Sequence, residues 1–222
     1  MRPTSFQILP PVIKNLLIIN GLFLFAQFVL RESYGIEIAD VLGLHYFFSS
    51  KFRPYQLITY MFMHGNFMHL LSNMFALWMF GAVLEGYWGP KRFLTFYLVT
   101  GLGAALTHYA VFYFQITPLV AQLNDPSQIA ELYNAPLVVG ASGSIFGLLL
   151  AFGMLFPNTM IYVYFAIPIK AKWFVLIYGL MELFSGVTNA GDNVAHFAHL
   201  GGMLFGFFMI RYWNKNNRTD FY

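Results

Sequence analysis

Six stretches of this chain approach the roughly 20 consecutive, mostly apolar residues that a helix needs to cross a bilayer. They lie at 12–30, 66–84, 93–114, 141–156, 172–185 and 194–213. The expected fold is an all-α polytopic membrane protein, a six-transmembrane-helix bundle forming a single domain over residues 1–222. Asn66, after Gly65, is the expected N-cap of the second helix. The fourth stretch stops before Pro157, and the fourth and fifth are short enough to fall below the full membrane thickness.

Charge content agrees with this reading. Only 9 % of the residues are charged and 59 % are hydrophobic, against about 25 % charged in a soluble domain. The net charge of +3 then points to basic loops on one side of a lipid bilayer, and no nucleic-acid partner is expected. Cysteine is absent, which excludes a disulfide scaffold and a thiol nucleophile. Residues 1–11 lack a signal-peptide pattern, so the first stretch is expected to remain as a span.

Loop charges give an orientation. One side carries Arg2, Lys14, Lys91, Arg92, Lys170, Lys172, Arg211, Lys215 and Arg218, the other only Arg31, Lys51 and Arg53. Both termini are expected on the cytoplasmic side. The outer loop at 31–65 is apolar enough to lie on or in the outer leaflet. The loop at 115–140 is more polar and reads as solvated.

Polar residues inside such segments are costly and tend to be functional. Gly140-Ala141-Ser142-Gly143 stands where the third outer loop becomes the fourth helix, so Ser142 faces free backbone N–H groups and the positive dipole end. Ser142 serving only as an N-cap is the plainer alternative. His196 and His199 lie three apart at the outer end of the sixth helix. As metal ligands they lack carboxylate or cysteine neighbours other than Asp192, so no metal is expected. Gly143 and Gly147, and Gly202 and Gly206, form small-residue stripes that let two helices approach closely. If those stripes face each other, Ser142 meets His199 as a nucleophile–base pair. His69 and Asn73 share a face of the second helix and are candidate oxyanion donors beside the Ser142 backbone N–H. His64 is expected to support the first loop. No acid is placed to orient His199, so a dyad is expected, with Phe146 stacked on the imidazole. His108 and Glu182 have no assigned role.

With these motifs in place, the chain resembles the rhomboid family over roughly 12–213. The family's G-x-S-G is matched by Gly140 to Gly143, which implies Ser142 as nucleophile. Its A-H-x-x-G-x-x-x-G is matched by Ala198, His199, Gly202 and Gly206, which implies His199, and not His196, as base. Its H-x-x-x-x-H-x-x-x-N is matched by His64, His69 and Asn73, implying that His69 and Asn73 help form the oxyanion hole. Glu85 resembles the acidic end of its second span. Arg53 resembles the basic residue of its first loop, with Phe52 in place of the usual tryptophan, and Phe146 stands where some members have tyrosine. The resemblance implies a cofactor-free Ser–His dyad in a water-filled cavity, a movable cap at 186–193 and a lateral gate at the fifth span. It implies an intramembrane serine protease that cuts single-span transmembrane protein substrates near the outer face. The alternatives are a rhomboid-like pseudoprotease that binds membrane helices, and a small transporter. The lack of appended soluble domains suggests a bacterial inner (plasma) membrane.

Overall fold

The computed structural model describes residues 8–163, 166–188 and 195–216. Each of the six apolar stretches is helical: α1 (Pro11–Tyr34), α4 (Phe67–Trp88), α5 (Pro90–Val120), α7 (Ser142–Leu155), α8 (Ala171–Thr188) and α9 (His196–Asn216). Among the described residues four of these, α1, α4, α5 and α8, are long and apolar enough to cross a membrane. The 14-residue α7 is shorter than a full crossing requires. Three short helices, α2 (Ile38–Leu42), α3 (Gln56–Thr59) and α6 (Pro126–Asn134), lie in the connections. Local chemistry sets several ends. Pro11 and Pro90 occupy first helical positions, where a missing N–H costs nothing. The Asn66 side chain caps α4 by accepting from His69 N at 2.8 Å.

The helical fold stands, with three changes of detail. The stretch at 115–140 is not a plain solvated loop: α5 runs on to Val120, and α6 follows because the Asp125 carboxylate caps the Ser127 N–H ahead of a first-turn proline. Two antiparallel ribbons interrupt the all-helical picture. β1 (Leu44–His45) pairs with β2 (Leu137–Val138), and β3 (Met160–Val163) with β4 (Ile167–Lys170). Helix α8 continues through Gly186 to Thr188, so the first part of the segment compared to a movable cap is helix. The remainder of that segment, with Asp192, lies outside the described residues, as do Arg2 and Arg218.

Helices α5, α7 and α9 form the centre of the bundle. A side chain at Gly202 of α9 would collide with the Gly143 carbonyl of α7. At Gly206 it would meet the Gly147 backbone at 3.4 Å. The two stripes therefore face each other, while Ala104 and Thr100 of α5 fill the space beside Gly143 and Gly147. Large apolar side chains such as Leu22, Phe25 and Phe28 on α1 and Leu176, Leu180 and Phe184 on α8 point outward. Lipid, unlike water, solvates such a surface. The α4–α7–α9 packing brings the starts of those three helices to one end of the bundle.

Candidate active site

The turn into α7 is held by its neighbours. Gly140 adopts φ +127°, a conformation that L residues avoid. Its N–H donates to Tyr60 O at 2.9 Å, and the Tyr60 hydroxyl donates to Gly101 O at 2.8 Å. Ser142 is the first helical residue, Ala141 stands at the cap position, and no side chain among the described residues caps α7. The Ser142 hydroxyl is thus not spent on capping. It lies 2.8 Å from His199 Nε2. Ser144, two residues on, turns away and donates to Tyr97 O at 2.8 Å.

His199 is held on three sides. The Phe146 ring stacks on it with centroids 4.2 Å apart and planes 7° from parallel. The close α7–α9 approach at Gly202 fixes its distance from Ser142. The third contact corrects the expectation that no acid reaches the imidazole: Glu182 Oε2 lies 2.9 Å from His199 Nδ1 and 2.8 Å from His196 Nδ1. Helix α8 runs alongside α9, which the linear order hides. His196, His199 and Glu182 also form the carboxylate-bearing cluster that was thought missing, with one ligand atom each inside 4.8 Å. Their 2.8 and 2.9 Å separations are those of charge-assisted hydrogen bonds.

The second polar group comes from the start of α4. His69 Nδ1 accepts from Gly65 N at 3.4 Å, which leaves Nε2 as the protonated, donating nitrogen. A methyl group at Gly140 would sit 2.9 Å from that Nε2 and 3.7 Å from Ser142 Oγ, so both line one small space. Asn73 is buried, and its Nδ2 has no hydrogen-bond partner among the described residues. His64 does more than support its loop: its ring packs edge-on against His69 at 5.1 Å. Burial, helped by the neighbouring His69 ring, pushes His64 down to about 4, so it is neutral at pH 7.

Other polar residues brace this frame. Glu85 accepts from Val12 N at 3.0 Å and Ile13 N at 2.9 Å, capping α1 from the end of α4. Arg53 donates to the Ser50 and Phe52 carbonyls and closes its own loop. His108 stacks against Phe112. Two glutamines escaped the sequence reading. Gln27 pairs with both backbone groups of His64. Gln56, fully buried, ties the first loop together through His45 N, Arg53 N, Val41 O and Lys51 O. Their only sequence signal was a lone amide in an apolar stretch.

Residues 51–215 match the rhomboid domain family. The chain belongs to the rhomboid family. It is 32 % identical to RHOMBOID-like protein 12, mitochondrial, of Arabidopsis thaliana, over 68 % of this chain and 44 % of that protein. It is 30 % identical to Rhomboid-like protein 11, chloroplastic, of the same plant, over 86 % of this chain and 64 % of that one. To Rhomboid-like protease 5 of Toxoplasma gondii the identity is 30 %, over 71 % of this chain and 16 % of the relative. The chain thus spans less than two thirds of the length of each of these rhomboids. Two of them carry organellar names, which gives a bacterial plasma membrane no support. This rhomboid is a polytopic helical membrane protein.

Proposed function

We propose that this rhomboid is an intramembrane serine endopeptidase that hydrolyses peptide bonds in or near the transmembrane segments of single-span proteins. The observation that carries the proposal is the 2.8 Å contact between Ser142 Oγ and His199 Nε2. Ser142 Oγ attacks the scissile carbonyl carbon while its proton passes to His199 Nε2. The tetrahedral oxyanion is met by the Ser142 N–H, His69 Nε2–H and Asn73 Nδ2–H, with the positive end of α7 behind them. The intermediate collapses, the C–N bond breaks, and His199 gives its proton to the leaving amine. Water, deprotonated by His199, then attacks the acyl ester, and its proton returns Ser142 to the hydroxyl form. No step calls for a cofactor.

Substrate selection follows from the surroundings. A peptide bond inside a stable helix is hydrogen-bonded and hidden, so segments loosened by glycine, proline or polar residues are the ones that reach Ser142. We further propose six membrane crossings, with both termini on the lysine- and arginine-rich side. Proteoliposomes carrying the protein and a single-span substrate test the activity. Cleavage is expected for the wild type and lost in Ser142→Ala and His199→Ala. Equal cleavage by Ser142→Ala overturns the proposal.

A further inference from the structure

We propose that Glu182 is a positioning residue, so that the site works as a Glu182–His199–Ser142 relay in which one carboxylate sets the tautomer and angle of the base. This rests on the protease reading above. An ionised carboxylate only accepts hydrogen bonds, so the 2.9 Å contact makes His199 Nδ1 the donor. The proton of the neutral ring then sits on Nδ1, and Nε2 keeps a lone pair aimed at the Ser142 hydroxyl 2.8 Å away. A ring with its proton on Nε2 instead would donate to Ser142 and could not take its proton.

The packing of α8 argues that this contact is built in. Gly179, Glu182 and Gly186 are spaced three and four apart, on one helical face. A side-chain carbon at Gly179 would lie 3.3 Å from Met203 Cε, and one at Gly186 would lie 3.0 Å from the Phe197 ring and 3.2 Å from His196 Cβ. Side chains of α9 therefore pack directly on the α8 backbone on both sides of Glu182, which fixes how far the carboxylate reaches. Glu182 is the only charged residue of α8 beyond Lys172, and its side chain is 12 % exposed. A lone acid on an apolar membrane helix is costly unless it is paired and used. His196 Nδ1 donates to the same oxygen at 2.8 Å, holding the carboxylate from a second direction. When His199 takes the Ser142 proton, the positive ring faces a negative group across a medium that screens poorly.

The test compares wild type, Glu182→Gln, Glu182→Ala and Glu182→Asp in detergent, by transmembrane-substrate kinetics, by the rate of fluorophosphonate attachment to Ser142 and by thermal melting. Removing the orienting acid of a serine hydrolase costs on the order of 10⁴-fold in kcat. A loss of at least about 10²-fold in kcat, with KM nearly unchanged, is expected here for the Gln and Ala variants. Attachment should slow in parallel, because the small probe needs the base but not the contacts that hold a transmembrane substrate. Glu182→Asp should recover part of the loss. The near-isosteric Gln variant decides the matter if Ala fails to fold. Wild-type-like kcat in Glu182→Gln, a loss confined to KM, or Asp performing no better than Ala despite equal melting would overturn the inference. The protease reading fails separately, and takes this inference with it, if wild-type Ser142 neither reacts with the probe nor supports cleavage.

Discussion

Asn73 shows what a single side chain contributes here. Its amide is buried without a partner for Nδ2 among the described residues, and such a donor is expensive unless something later accepts from it. In the proposed mechanism the developing oxyanion is that acceptor. Asn73→Ala is accordingly expected to lower kcat by about 10²-fold, the usual cost of one oxyanion donor, with little change in KM or melting temperature. Single-turnover kinetics check this, and an unchanged kcat would remove Asn73 from the oxyanion hole. The positions of Ser142, His199, His69 and Asn73 were legible because each sits in a short motif at a helix start. Glu182 was not, because its partner lies 17 residues away on another helix, and no spacing rule within one element reports that meeting. Gln27 was hidden for the same reason, its partner being the His64 backbone 37 residues on, and Gln56 because its partners are backbone groups of an irregular loop, which has no period to read.

Among the elements, the α7–α9 contact sets the distance between Ser142 and His199, the proposed nucleophile and base. The glycine spacing foretold a close approach, and the structure adds that Gly202 meets the Gly143 carbonyl itself. Gly202→Leu forces the helices apart. Overpacking of this kind costs about 1–3 kcal/mol, so the melting temperature in detergent is expected to fall. Probe attachment at Ser142 should fall much further, because Ser142 and His199 separate. Leu204→Ala, at an outward-facing position of the same helix, serves as the control. A Gly202→Leu protein that keeps wild-type attachment would show that the α7–α9 contact is not what sets the geometry. The helix α6 and the two ribbons were harder to read. Ribbons of two to four residues per strand carry too little periodicity to be separated from loop, and α6 is signalled only by its Asp-Pro start.

For the whole molecule, the decisive pattern is where polarity gathers. Helices α4, α7 and α9 start, and α8 ends, at the same end of the bundle, which is why His69, Asn73, Ser142, Glu182 and His199 converge while the outward faces stay apolar. Polar groups lining a path for solute would be spread through the depth, whereas these collect around one hydroxyl. The most direct measurement is reaction of the intact protein with a fluorophosphonate, followed by mass-spectrometric mapping of the adduct. One adduct on Ser142 is expected, absent from Ser142→Ala, strongly reduced in His199→Ala, and never on the neighbouring Ser144. Labelling that persists in Ser142→Ala, or that is indifferent to His199, would contradict the account.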